Sequence, residues 1–371
     1  MANTKPLAGL TVVSIEQAVA APMCTARLAD AGARVIKIER DEGETARHYD
    51  AAVHDTSAYF VWLNRGKQST VFDLKSAADI AVVKSMLAKA DVFVQNLAPG
   101  AIDRLGLSPE VLHQSNPKLI TVGIVGYGQD TDYAAMRAYD MLVQAESGLC
   151  AVTGMPDAAC KVGVSVADIA TGMNAHAAVL EALIERSITG KGKAIEIAMF
   201  DGLADWMNVP LLHYEHQSKE TARHGLSHAS IYPYRQLDCK DGSIVIAVQH
   251  SGEWHRLCCD ALKQPELETD PRFASNALRV QNRDALDEKL EPVFAAMTRA
   301  EAFSMVEDAK LASATVSTVA GLSTHPALRR VKGVANGKVF SLAAPPLHPE
   351  IEMAKIPQIG EHTEDIRAEF D

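Results

Sequence analysis

Residues 9–40 read GLTVVSIEQAVAAPMCTARLADAGARVIKIER. TVVSIE (11–16) is a short apolar run rich in β-branched residues, the composition of a buried strand. APMCTARLADAG (21–32) reads as a helix stopped by Gly32, and RVIKIE (34–39) as a second strand. The alternation continues outward from this stretch: STVFDL (69–74), the helical AADIAVVKSMLAKA (77–90), DVFVQN (91–96) and LITVGIVG (119–126). Strand-length apolar runs separated by helices of about a dozen residues predict βαβ units and a doubly wound parallel sheet, an α/β fold.

The chain changes character only near residue 220. A long helix is expected from about Ile169 to Ser187, closed by the glycine turn of TGKGK, then the strand KAIEIAMF (193–200) and a helix near 200–218. Residues 219–236 are polar and carry His and Arg. GSIVIAV (242–248) opens what reads as a separate α+β unit, with EKLEPVFAAMT (288–298) and EAFSMVEDA (301–309) as its helices. A strand-like GKVFSLAAPP and the polar tail IPQIGEHTEDIRAEF close the chain.

Composition narrows the function. The 371 residues are 47% apolar and 22% charged, enough to bury a large core and more than one ordinary domain needs. A net charge of −11 with no basic run disfavours nucleic acid as a partner. No signal-peptide core and no apolar run long enough for a bilayer is present, so neither secretion nor a membrane is expected. The six cysteines have no CxxC spacing, and free thiols suit a reducing cytoplasm. HYEH (213–216) and HGLSH (224–228) pair histidines at chelating distance along the sequence. Neither is HExxH, and Gly225 interrupts the second, so no metal site is expected.

In an open parallel sheet, ligands gather at the carboxyl ends of the strands. Arg40, Lys75, Asn96 and Arg104 all follow such ends, three cations and an amide suited to a polyanion. GxGxxG is absent and TGKGK lacks the spacer and hydroxyl of a P-loop, which argues against nicotinamide or nucleoside triphosphate. Asp168 stands at the start of the long helix. Two compatible readings are open there: an N-cap accepting backbone N–H groups, and a carboxylate poised as a nucleophile. Along the helix, Ile169, Met173, His176, Leu180 and Leu183 read as the apolar core stripe.

These stretches together resemble the class III coenzyme A transferases, the family of formyl-CoA, crotonobetainyl-CoA and succinyl-CoA:dicarboxylate transferases. The matching segments are residues 7–40, which extend the stretch quoted above by Leu7 and Ala8, then LNRGKQSTVFDLKS, VQNLAPGAIDRLGL, TVGIVGYGQD, AYDMLVQAESGL, VADIATGMNAHAAVLEAL, TGKGKAIEIAMFDG and IGEHTEDI, in the family's order over nearly the whole chain. The resemblance implies a Rossmann-like large domain at 1–200 and 326–371, a linker helix region at 201–225, an inserted small α+β domain at 226–325, and an interlocked homodimer. It puts the catalytic aspartate at Asp168 and CoA contacts at Arg40, Lys75, Asn96, Leu97, Arg104 and Arg137, with Ala18, Val19 and Ala20 beside the pantetheine.

The implied activity is transfer of CoA from an acyl-CoA to a small carboxylic acid, through a mixed anhydride and an aspartyl-CoA thioester, with no cofactor beyond CoA. The related α-methylacyl-CoA racemases are the alternative; they use a histidine where this chain has Tyr139, a poor proton acceptor at neutral pH. Tyr139 and, in the polar segment, Arg223, His224, His228 and Arg235 are suited to an acid substrate's second carboxylate. The glycine-run loop of some family members is missing from residues 219–253, and Val19 stands where certain members carry a polar residue.

Overall fold

The computed structural model describes residues 5–348 and 354–371. Its chain divides into two compact units. The first takes residues up to Leu149, Val162–Val209 and Ala327–Asp371; the second takes Cys150–Lys161 and Pro210–Pro326.

Six parallel strands form the centre of the first unit: β1 (Thr11–Ile15), β2 (Arg34–Glu39), β3 (Gln68–Val71), β4 (Val92–Gln95), β5 (Ile120–Val125) and β6 (Ala194–Ala198). Their order is β3-β2-β1-β4-β5-β6, the doubly wound arrangement expected from the alternating runs. Val12, Val35, Val92 and Val94 face one layer of core and Val13, Ile36, Ile38 and Phe93 the other, so these strands are apolar on both faces. Helices α1 (Ala20–Asp30), α3 (Ala77–Lys89) and α5 (Val166–Thr189) cover them, while α2 (Ala58–Asn64) packs with Ala335 and Ile356 and α4 (Asp140–Glu146) packs on the start of α5. Gly190, left-handed at φ 71°, caps α5 at its end.

Two features of α5 differ from the sequence reading. The helix starts at Val166, so Asp168 is its third residue and not the N-cap, a position that falls to Ser165. Of the expected stripe, Ile169, Leu180 and Leu183 do pack half-buried against the core, but the fully buried positions are others. Met173 is exposed, and the helix buries Ala167, Ala170, Thr171, Gly172, Ala175, Val179 and Ala182. Small residues are required because α5 runs close against α1. A Cβ on Gly172 would stand 2.4 Å from the Ala20 carbonyl oxygen. Apolar periodicity picks the largest side chains, whereas close helix packing selects the smallest.

The tail returns to this unit. Helix α12 (Thr363–Phe370) lies along β3: the Val71 amide donates to Thr363 Oγ1 at 3.0 Å, and Arg34 pairs with Glu369 at 2.7 Å. The second unit is built on a three-stranded antiparallel sheet of β7 (Tyr234–Cys239), β8 (Gly242–Ala247) and β9 (Ala312–Ala314), with β8 central. Ile244 and Ile246 of β8 pack with Phe294 of α10 (Arg283–Ala295) and Val306 of α11 (Arg299–Asp308) around Trp254 and Phe273. Between the units the chain runs through α6 (Met199–Trp206) and α7 (Asn208–Gln217). No helix among the described residues is long and apolar enough to cross a membrane.

Candidate active site

The switch point of the sheet lies between β1 and β4, where crossovers leave in opposite directions and open a crevice. Asn96, just past β4, holds the loop after β1. Its Oδ1 accepts from the Gln17 amide and its Nδ2 donates to the Gln17 carbonyl, both at 2.9 Å. Ala18 follows in the left-handed region at φ 60°, a conformation disfavoured for a residue with a Cβ. Its amide donates to Glu44 Oε2 at 2.7 Å. The Asn96 amide therefore acts on the chain itself, shaping the loop. Within that loop Gln17 and Ala18 retain surface while Val19 and Ala20 are buried, Val19 against Met23 and Leu63.

Beneath the loop is a network of buried charge. Glu44 Oε1 accepts from Lys37 at 2.9 Å, and Glu16 accepts from Lys37 at 3.3 Å, Lys67 at 2.7 Å and Thr25 at 2.6 Å. Burial alone would raise the Glu16 pKa, but Lys67 and Lys37 outweigh it and hold the carboxyl at about 2. Burial pulls the Lys67 ammonium down to about 8 against the attraction of Glu16. Such ions persist because each is paired and hydrogen-bonded. Lys37 sits mid-strand in RVIKIE, and nothing in its local sequence separates it from a solvent-facing lysine.

Asp168 is set against this loop by α5. Ile169, its neighbour, packs on the cluster of Val19, Met23 and Leu63, and Gly172 one turn on touches the Ala20 carbonyl. The carboxylate is half-buried and has no hydrogen bond or ion pair among the described residues. Burial, and then the negative charge of Asp140, push its pKa up to about 7. Asp140 itself serves the helix start: its Oδ1 accepts from the Ala167 amide at 2.8 Å, while Gln144 donates to its Oδ2 at 2.7 Å. The dipole at the helix N-terminus favours the ionised form of such a carboxylate. Desolvation and a neighbouring like charge outweigh that dipole.

Tyrosines surround the same place. Tyr49 is pushed up by burial and by the charges of Glu44 and Asp168, with Tyr59 and Tyr139 also acting on it. Tyr49 and Tyr59 meet edge-to-face at 5.6 Å, and Tyr139 stands 69% exposed at the start of α4. Sequence reasoning missed Tyr49, Tyr59, Glu44 and Asp140, which come from segments whose local pattern carries no signal.

A cavity of about 400 Å³ opens at the ends of β1, β2 and β3, lined by Gln17, Arg40, Glu44, Lys75 and Leu97 among others. The structure thus gathers Arg40, Lys75 and Leu97 at one opening. Arg104 ends the short helix Ala101–Arg104 beyond Gly100, and Arg137 precedes α4. All four cations are exposed, and none has an acidic partner among the described residues. Of the acids at the first opening, Glu39 is engaged with Arg47 and Glu44 with Lys37, while Asp41, Glu42 and Asp73 also line it.

In the second unit the polar segment is engaged internally. Arg223 donates to the carbonyls of Ala151, Met155 and Pro156 at 2.9–3.1 Å. Arg235 pairs with Asp287 and Glu291 and donates to the Tyr232 hydroxyl. His228 stacks on Tyr234 at 5.6 Å. A pocket of about 400 Å³ lies beside His224, Arg235 and Arg283.

A family model for CoA-transferase family III matches residues 7–363. An acetyl-CoA:oxalate CoA-transferase from Acetobacter aceti is 39% identical over 289 residues, covering 77% of this chain and 74% of that protein. A succinyl-CoA:glutarate CoA-transferase from Mus musculus is 35% identical over 79% of this chain and 68% of its own length. The crystal structure of a CAIB/BAIF family protein from Brucella suis superposes with a TM-score of 0.83 at 34% identity, covering 100% of both chains.

Proposed function

We propose that this chain, which belongs to CoA-transferase family III and is an enzyme that transfers CoA, moves it between small dicarboxylic acids with Asp168 as the covalent shuttle. The observation that carries the reading is a carboxylate without a cation partner among the described residues, its pKa at about 7, held beside the switch-point loop. Burial withholds water and countercharge from its oxygens, which makes them better nucleophiles than those of a solvated aspartate.

Asp168 attacks the acyl-CoA carbonyl and the C–S bond breaks, giving a mixed anhydride and CoA thiolate. The thiolate attacks the aspartyl carbonyl, freeing the first acid as its carboxylate and leaving aspartyl-CoA. The acceptor carboxylate attacks that thioester, and the released thiolate then takes the new acyl group, restoring Asp168. Overall one thioester is exchanged for another of similar energy, so the reaction needs no cofactor beyond CoA. The developing oxyanions require fixed donors, and losing one such donor costs about 3 kcal/mol of barrier.

Arg40, Lys75, Arg104 and Arg137 are assigned to the CoA phosphates because they are exposed cations without acidic partners among the described residues, the first three following strand ends, and Leu97 to the wall between. The loop Ala18–Ala20 faces the pantetheine and thioester through its backbone, since the Val19 side chain points into the core. The acceptor class follows the relatives named for oxalate and glutarate. Tyr139 is carried as a contact to the acceptor, and His228 and Arg235 are not, since Arg235 is already paired with Asp287 and Glu291.

A second copy of the chain belongs to the reading. Helix α7 buries no residue and exposes Val209, Leu211, Leu212 and Tyr214, while Ile188 of α5 is 80% exposed. Apolar faces of this kind mark an interface. The six free cysteines suit a reducing cytoplasm.

The test is mass spectrometry of the quenched enzyme after incubation with acyl-CoA, looking for a CoA thioester on Asp168. Asp168→Ala should lose both adduct and exchange while still binding CoA. Near-full exchange by this variant overturns the assignment.

A further inference from the structure

The second unit carries a side-chain cluster that CoA transfer does not use. His255 ends α8 (Ser251–His255), and Cys259 lies four residues on, in the π-helical turn Arg256–Ala261. At that spacing the two side chains share one face. Lys263, left-handed at φ 57°, then turns the chain, and the Gln264 amide bonds the Cys258 carbonyl at 2.8 Å. This brings the short helix α9 (Glu266–Thr269) back over that face. Glu268 Oε2 meets His255 Nδ1 at 2.9 Å and the Cys259 thiol at 3.4 Å, and the three ligating atoms lie within 4.8 Å of one another.

Two donors converging on one carboxylate oxygen is the arrangement a metal ion takes over when it replaces the thiol proton. Imidazole nitrogen, thiolate sulfur and carboxylate oxygen are the donor set of zinc, whereas calcium and magnesium take oxygen alone. The imidazole is exposed, which leaves the outer side open to solvent. Reading cysteines for CxxC spacing missed this group, because its ligands are a His-x3-Cys pair on one helical face and a glutamate returned by a turn.

We propose that His255, Cys259 and Glu268 bind one zinc ion, with water as the fourth ligand. The ion ties the π-helical turn to α9 and has no part in acyl exchange. Binding converts the Cys259 thiol to thiolate and releases its proton to solvent.

The test uses the full-length protein stripped with EDTA and titrated first with cobalt(II), then with zinc. One cobalt per chain should produce a thiolate-to-metal charge-transfer band that zinc abolishes, with a zinc Kd of about 1 μM or tighter. Cys259→Ser should remove the band, and His255→Gln and Glu268→Gln should each weaken zinc about tenfold or more. Cys160→Ser and Cys239→Ser should leave binding intact, and retained CoA exchange certifies that each variant is folded. Zinc should raise the thermal midpoint of the wild type and not of Cys259→Ser. Absence of the band, its survival in Cys259→Ser, or unchanged affinity in both the His255 and Glu268 variants overturns the proposal.

Discussion

Replacing Asp168 with Asn should make the protein more stable at alkaline pH while abolishing exchange. The folded chain raises this carboxyl from its ordinary 3.8 to about 7, through burial and the charge of Asp140. Between those values the folded state keeps a proton that the unfolded chain has released. Stability is therefore greatest below the unfolded pKa and is lost as pH rises through the folded one. At about 1.4 kcal/mol per pH unit, the loss reaches at most about 4 kcal/mol above neutrality, of which about 1.5 kcal/mol is already present at pH 5. Asparagine is neutral throughout and escapes it. Urea unfolding of both proteins at pH 5 and pH 8, read by fluorescence to which Trp62 and Trp206 of the first unit contribute, should show the variant's advantage growing by about 2.5 kcal/mol. Stability gained where activity is lost marks a group held in an unfavourable state for function. A difference that is flat or shrinking with pH would refute the claim that the fold resists ionisation of Asp168.

Asp140→Asn keeps an oxygen for the Ala167 amide but removes the charge beside Asp168, so the acid limb of the kcat/KM profile should move from near 7 toward lower pH by about one unit; an unmoved limb means that charge is not felt. Gly172→Ala drives a Cβ to 2.4 Å from the Ala20 carbonyl, forcing α5 away from α1; a stability loss of about 1–3 kcal/mol in urea, with kcat falling more than KM rises, is expected. Lys67→Met leaves Glu16 buried without its nearest cation and should destabilise by about 3–5 kcal/mol. In the wild type the same Glu16, held at about 2, contributes stability above its ordinary 4.5 that is lost as pH falls through about 2, measurable by acid unfolding. Arg40→Ala and Lys75→Ala should each weaken CoA about tenfold by calorimetry and flatten its salt dependence; unchanged binding would place the phosphates elsewhere.

The parallel sheet was legible because its information is local. The runs TVVSIE and RVIKIE announce strands by composition, and the helix between them by length and its glycine stop. Strand ends then mark where ligands gather, which is how Arg40, Lys75 and Asn96 could be picked out. The same local logic misplaced the buried face of α5, favouring Met173 over the Ala and Gly positions that meet α1. A run of small residues at helical spacing, Ala167 through Ala175 to Ala182, was the signal that could have found it.

By itself, the sequence determined the α/β class and the alternation of strands and helices that builds the parallel sheet, and it singled out Asp168 as a candidate, because strand period, helix length and motif order are properties of neighbouring residues. Only the tertiary structure decided that Asp168 titrates near 7, that Lys37 and Lys67 are buried, that Asn96 clasps Gln17, and that His255, Cys259 and Glu268 meet. Each of these depends on desolvation and charge summed over segments tens of residues apart, and those sums exist only once the chain has folded.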